Sequence, residues 1–331
     1  MLNNPSNFMF MLMLMSGSII SISSSSWLGM WMGLEMNLLS FIPMINKNKT
    51  PYETESMMMY FLVQAMASVL FLSSILMNEM FNFSMNFYST YLILMALLMK
   101  MGAAPFHFWF PGVMEGIDWM NCLILMTWQK LAPLILISYK LVNNLIMFVI
   151  IMSTMIGSVG GLNQNSIRKI MAYSSINHIG WMLSAMMISN NMWMLYFIIY
   201  SVMNLSVILM FMSTSVFYIT QLFYIKTSPM IKFSMMISML SLAGLPPFLG
   251  FLPKWLVIQN LAMNQSFFML MFMLMMTLLT LYFYMRIMFS SFMFMNQENK
   301  WHSNKSTNEI INASFMLSII GIPITTWMIL Y

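Results

Sequence analysis

The chain has 331 residues, of which 13 are Lys or Arg and 8 are Asp or Glu, so 6% are charged where a soluble domain carries about 25%. With 60% hydrophobic residues and a mean hydropathy of +0.81, this composition excludes an ordinary water-soluble fold and predicts a bundle solvated by lipid on its outer face. The net charge of +5 is no nucleic-acid footprint, because the basic residues are scattered along the edges of apolar runs, and the single cysteine, Cys122, excludes an intrachain disulfide or an iron–sulfur cluster held by this chain alone.

A membrane-spanning helix needs roughly 20 mostly apolar residues. Runs of that kind predict about eleven spans, at 7–24, 27–45, 57–77, 87–111, 118–140, 142–160, 167–188, 192–214, 230–262, 266–289 and 311–331. The first has no separable signal-peptide pattern and reads as a retained helix. The fourth and ninth are interrupted by Gly102–Pro105 and Gly244–Pro247, and a polar stretch from Asn296 to Asn308 predicts a surface loop. No soluble domain or linker is visible, so residues 1–331 read as a single all-α polytopic membrane domain. The 50 methionines act as generic hydrophobes filling the place of Leu and Ile, with no Met/His/Cys grouping that points to copper.

An internal repeat runs through this pattern. Gly102-x-x-Pro105-Phe106-x4-Pro111 recurs as Gly244-x-x-Pro247-Phe248-x4-Pro253, offset by 142 residues and therefore by five spans. An odd-numbered unit used twice in succession must point opposite ways across the bilayer, an inverted-topology repeat. The expected boundaries are about 1–141 for the first repeat, 142–290 for the second and 291–331 for the polar loop and last helix. The same offset carries Glu35 to Asn177, beside His178. Loops after even-numbered spans hold Lys47, Lys49, Arg168, Lys169, Lys226, Lys232, Arg286, Lys300 and Lys305, against little beyond Lys140 on the other side. The positive-inside rule then puts the N-terminus in the basic, insertion-side compartment and the C-terminus opposite.

Four ionisable residues lie inside these apolar stretches: Glu35, Lys100, Lys130 and Lys254. A charge at bilayer depth costs at least about 2.5–3.5 kcal/mol on insertion scales, so such residues are functional candidates. Glu35 reads as the acid partner of a lysine, which would let both stay charged, or as a protonated carboxyl tying helices together. Lys100 precedes the first break, where freed backbone carbonyls gather, and Lys254 follows Pro253 in the second; snorkelling to the interface is the competing account of both. Lys130 sits about eight residues from the nearer polar end, followed by Pro133, which leaves the Gln129 carbonyl without its helical donor. His178 is the histidine nearest mid-span, suited by its ordinary pKa to relay protons, though a lone membrane histidine also serves as a packing residue. Tyr173, Ser174, Ser175 and Asn177 read as path-lining groups or as interhelical hydrogen bonders. His107 lies just past the first break, His302 lies in a loop, and Glu115 and Asp118 read as water-facing. No nucleotide-binding loop or metal-ligand set is present.

The stretches Lys100-Met-Gly-Ala-Ala-Pro-Phe-His-Phe-Trp109, Thr127-Trp-Gln-Lys-Leu-Ala-Pro133, Leu162-Asn-Gln, Arg168-Lys-Ile-Met-Ala-Tyr-Ser-Ser-Ile-Asn-His-Ile-Gly-Trp181 and Ala243-Gly-Leu-Pro-Pro-Phe-Leu-Gly-Phe-Leu-Pro-Lys-Trp255 resemble the subunit 2 family of mitochondrial NADH–ubiquinone oxidoreductase, respiratory complex I. The resemblance covers roughly Trp27 to Trp255, and its shortened N-terminal part is similar to that of the animal form. It implies an antiporter-like fold of two inverted five-helix repeats, each with one broken helix, plus a C-terminal helix. It further implies that Glu35 pairs with Lys100, that Lys130 bridges two half-channels, that Lys254 is the lysine of the second broken helix and that His178 lies on the hydrophilic axis between them. The implied activity is proton translocation within a redox-driven hetero-oligomer of the mitochondrial inner membrane, beside other antiporter-like subunits and phospholipid. The implied cofactors, NADH, FMN, iron–sulfur clusters and ubiquinone, belong to partner subunits, with none bound by this chain and no redox chemistry within it. A free-standing cation/proton antiporter and a purely structural membrane subunit are the alternatives that the charged residues alone leave open.

Overall fold

The fold is that of a computed structural model, which describes residues 5–46, 50–80, 86–224, 229–246 and 248–292. In hydrocarbon a backbone must satisfy its N–H and C=O groups within its own segment, which makes long apolar runs helical. The described residues form α1 (Pro5–Ser23), α2 (Trp27–Ile45), α3 (Pro51–Met80), α4 (Asn86–Met101), α5 (Trp109–Gly116), α6 (Trp119–Met126), α7 (Trp128–Tyr139), α8 (Asn143–Gly161), α9 (Ile167–Ile188), α10 (Asn190–Thr214), α11 (Ile219–Tyr224), α12 (Pro229–Ala243), α13 (Phe251–Met263) and α14 (Phe267–Phe292). Seven helical segments among them are long and apolar enough to cross a membrane. No strand is formed among the described residues beyond an isolated bridge between Ser166 and Tyr218.

Each of the first ten expected spans coincides with a helix or an interrupted pair. The expected eleventh, 311–331, and the polar loop before it lie outside the described residues, as do His302, Pro247 and the loop lysines Lys47, Lys49, Lys226, Lys300 and Lys305. The differences have local causes. Helix α3 begins at Pro51, six residues before its expected start, because Pro suits the first helical position and the Thr50 hydroxyl accepts from the Glu53 N–H at 3.3 Å; a capped polar first turn is invisible to a search for apolar runs. The expected fifth span is interrupted at Thr127, between α6 and α7. Thr127 departs from helical geometry there (φ −112°, ψ −75°), its hydroxyl donating to the Leu123 carbonyl at 2.7 Å. Helix α11 was not anticipated, being too short to leave a periodic signal.

The chain divides into two compact units, Met1–Val149 and Ile150–Tyr331, with the boundary inside α8. Within the first, α1 and α2 approach so closely that a Cβ on Gly33 would stand 2.5 Å from the Ser21 nitrogen and 2.7 Å from the Gly17 oxygen. Small residues at such crossings replace the hydrophobic drive that lipid removes. Helix α3 packs against α2, α4 and α5, and α4 against α7. Within the second unit α9 is the central helix, buried continuously from Ser174 to Met186 and packed against α10, α13 and α14. A Cβ on Gly157 would stand 2.6 Å from the Asn177 nitrogen, so α8 meets α9 by the same small-residue contact.

Candidate functional site

Both broken helices end in the same way. At α4 the backbone turns left-handed at Gly102 (φ +71°), whose N–H bonds to Met99 O while Ala103 N–H bonds to Leu98 O, each at 3.1 Å. At α12, Gly244 (φ +80°) donates to Ser241 O at 3.1 Å, and Leu245 N–H reaches Leu240 O at 3.5 Å. This is the Schellman cap, and it requires glycine because a side chain is strained at positive φ. It satisfies two carbonyls of the last turn, on Leu98 and Met99 at one break and on Leu240 and Ser241 at the other, and leaves those beyond them, Lys100 among them at the first break and Ala243 at the second, in need of donors. The two halves meet that need differently. Gln64 of α3 donates its Nε2 to the Lys100 carbonyl at 3.2 Å, whereas Lys254 of α13 folds back and donates Nζ to the Ala243 carbonyl at 2.7 Å.

In the first unit the Lys100 side chain is buried, and its Nζ has no hydrogen-bond partner among the described residues. The charge that acts on it is the carboxylate of Glu35 on α2, which is half-buried and also acts on the Tyr60 hydroxyl of α3. Glu35 and Lys100 are therefore coupled through space without direct contact. A polar chain runs alongside: Gln129 on α7 donates Nε2 to Asn37 Oδ1 on α2 at 3.0 Å, and its Oε1 accepts from the Tyr60 hydroxyl at 3.5 Å. The neighbouring Lys130 is only 1% exposed, its ammonium 5.0 Å from the Phe110 ring of α5. Lys130 thus faces the half-helix beyond the break that Lys100 precedes. His107 lies within that break, buried, with Nδ1 3.1 Å from the Pro105 carbonyl.

In the second unit His178 is buried, its Nδ1 2.9 Å from the Tyr196 hydroxyl and its ring 4.9 Å from that of Tyr200. Tyr200 faces Ser175 and Asn204, and Tyr196 is close enough to Tyr200 and to Tyr284 of α14 to interact electrostatically with both. Lys254 lies with Nζ 6.0 Å from the Trp181 ring, one turn beyond His178 on α9, and a Cβ on Gly244 would stand 2.9 Å from its Cδ. The Ser174 and Ser175 hydroxyls bond to Met171 O and Ala172 O of their own helix at 2.8 and 2.7 Å, and the same side chains meet Tyr284 of α14 and Tyr200 of α10.

The structure therefore groups Glu35 with Lys100, sets Lys130 against α5 in the same unit, and puts His178 and Lys254 on adjoining helices of the other. Arg168 lies over the Phe217 ring at 4.6 Å, and the Arg286 guanidinium donates to the Leu162 (2.7 Å) and Gln164 carbonyls. Gln64, Gln129, Tyr60 and Tyr196 carry no charge and were passed over in the sequence. A usable signal existed for the last: α9 and α10 are joined through Ser189 alone, and His178 and Tyr200 are equidistant from it, so the tyrosines of α10 must face His178 across an antiparallel pair. Among the described residues no group of three or more His, Cys, Asp or Glu is placed to hold a metal ion.

Residues 24–280 match the family model described as NADH:quinone oxidoreductase/Mrp antiporter, TM. The chain is 52% identical over 324 residues to NADH-ubiquinone oxidoreductase chain 2 of Anopheles gambiae, covering 96% of this chain and 95% of the relative. It is 40% identical over 341 residues to the protein of the same name from Bos taurus, covering 97% and 98%. Among solved structures, a chain of respiratory complex I from Thermus thermophilus with bound aureothin superposes with a TM-score of 0.85 at 22% identity, over 96% of this chain and 78% of that one. A chain of the Mrp complex from Dietzia sp. DQ12-45-1b gives 0.81 at 15% identity, over 97% and 75%; these two likenesses speak for the fold. The chain belongs to the NADH:quinone oxidoreductase/Mrp antiporter membrane family, among its NADH-ubiquinone oxidoreductase chain 2 members.

Proposed function

We propose that the chain is a proton-translocating, antiporter-like core subunit of an NADH:ubiquinone oxidoreductase. The observation that carries the reading is that, among the described residues, three lysines are buried, two of them at glycine-capped helix breaks, with Glu53 the one fully buried carboxylate beside them. The kinship with NADH-ubiquinone oxidoreductase chain 2 supplies the enzyme. On this reading the chain lies in the mitochondrial inner membrane, crosses it repeatedly, and has its N-terminus on the matrix side and its C-terminus on the intermembrane-space side. Its partners are the other membrane subunits, including antiporter-like neighbours, and phospholipid. On this reading NADH, FMN, iron–sulfur clusters and ubiquinone act in partner subunits, and no redox step is assigned to this chain.

The catalytic set we propose is Glu35, Lys100, Lys130, His178 and Lys254, acting as a proton relay. Quinone reduction elsewhere changes the electrostatic field at Glu35. Since Glu35 is the charge that acts on the buried Lys100 ammonium, weakening that coupling makes the ammonium costly to keep and sends its proton towards Lys130. His178 and Lys254 receive and release it in the second unit. Moving one charge against 100 mV costs about 2.3 kcal/mol. A swing of two pKa units in a relay group supplies about 2.7 kcal/mol, so the magnitudes match. The reading is tested by solubilising the membranes gently and separating them on a native gel. The chain should migrate in a large assembly with NADH:ubiquinone reductase activity; migration apart from that activity would favour the free-standing antiporter.

A further inference from the structure

His178 has a fixed companion. The Tyr196 hydroxyl stands 2.9 Å from its Nδ1, and both side chains are buried, at 1% and 4% exposure for Tyr196 and His178. A buried imidazole in a relay must hold a hydrogen-bonded partner in two charge states. An Nδ1–H needs an acceptor in both states, and a phenol oxygen supplies one from its two lone pairs while its own proton turns elsewhere. Among the described residues, the buried titratable side chains that the elements around α9 turn inward are Tyr196 and Tyr200 from α10, Tyr284 from α14 and Lys254 from α13, while α8 between Ile150 and Gly161 brings none.

Resting on the proton-relay reading above, we infer that Tyr196 is the positioning residue of His178: its oxygen holds the Nδ1–H in both charge states, so that the proton is taken up and given back at Nε2. The step balances on a single nitrogen. An incoming proton bonds to the Nε2 lone pair, the Nδ1–H···O bond to Tyr196 persists and shortens as the ring becomes cationic, and the same Nε2–H bond breaks when the proton leaves. The hydroxyl proton of Tyr196 is left to the side where Tyr200 and Tyr284 lie within electrostatic reach. No heavy atom has to move, which suits a transfer group clamped in the most buried helix of its unit. Tyr200, its ring tilted 45° to the imidazole at 4.9 Å, packs against it and adds to its orientation.

The test uses the assembled complex in proteoliposomes, with proton pumping and NADH oxidation measured together across the pH range of activity. Tyr196→Phe should slow pumping about tenfold, the worth of one buried hydrogen bond to a charged group, and alter its pH dependence. His178→Gln should do the same, and the double variant should be no worse than His178→Gln alone. Tyr282→Phe, which removes an outward-facing phenol from α14, should leave pumping and its pH dependence as they are. Multiplying, independent effects of the two substitutions would overturn the inference, as would a silent Tyr196→Phe beside a damaging His178→Gln. A silent His178→Gln would remove His178 from the relay, and the inference with it. Loss of assembly in Tyr196→Phe is resolved by Tyr196→Gln, whose amide oxygen accepts the same Nδ1–H: restored pumping supports the inference, and an assembled complex that pumps no better contradicts it.

Discussion

Substituting Gly244 by alanine should undock Lys254. Two costs are legible at the position. A residue with a Cβ at φ +80° sits in the left-handed region at about 1–2 kcal/mol. Its Cβ would also stand 2.9 Å from Lys254 Cδ and 3.1 Å from Nζ, so the end of the lysine must shift, and the most this costs is its charge-assisted bond to the Ala243 carbonyl, worth about 1.5–3 kcal/mol. The sum is about 2.5–5 kcal/mol. Gly102→Ala is the matched control: it has the same backbone strain at φ +71°, but its Cβ meets Phe110 and Trp109 at 3.1–3.3 Å and touches no lysine. Both variants should assemble less efficiently and inactivate at lower temperature. Gly244→Ala should be the more damaged of the two, and the assembled fraction should also pump fewer protons per NADH. Equal behaviour of the two variants in both assays would refute the claim that Gly244 exists to seat Lys254.

Gln64→Leu should leave the Lys100 carbonyl without its donor at the first break, costing about 1–3 kcal/mol in resistance to heat inactivation; a variant as stable as the parent would show that another group caps that carbonyl. Glu35→Gln keeps the side chain's size and removes the charge acting on Lys100, so the complex should assemble normally and pump fewer protons per NADH; an unchanged ratio would remove Glu35 from the relay. Gly33→Leu should abolish assembly, because its Cβ alone would stand 2.5 Å from the Ser21 backbone nitrogen and neither helix can yield; a normal amount of complex on a native gel would contradict the α1–α2 packing.

The two helix breaks were legible because glycine and proline enforce them chemically: one residue type tolerates positive φ and the other cannot donate, whatever surrounds them. The buried lysines were legible for a similar reason, since the cost of a charge in hydrocarbon does not depend on the partner helix. Partnerships were less accessible. The sequence suggested a Glu35–Lys100 pair, and the structure holds the two within electrostatic reach but out of hydrogen-bond contact, a distance set by how α2, α3 and α4 pack. That Gln64 caps one break while Lys254 caps the other depends on which side chain each neighbouring helix offers, and the repeat motif is silent on it. Thr127 looked like any helical threonine, because its residue type does not mark the φ −112°, ψ −75° that interrupts the span. Helix α9 was the reverse case: its run of Ser174, Ser175, Asn177 and His178 depresses its hydropathy, yet it is the most continuously buried helix of its unit. Polarity there marks the interior of the protein rather than its surface.

The most direct test of the account is the number of protons pumped per NADH oxidised by reconstituted complex carrying Lys130→Met, after a native gel has established full assembly. Methionine keeps the length and apolar stem of a side chain that is 1% exposed against Phe110, so packing is retained while the charge is lost. The account predicts an assembled complex that still oxidises NADH and moves fewer protons for each one. An unchanged ratio would contradict the Lys130 relay and leave these buried charges the task of holding helices together.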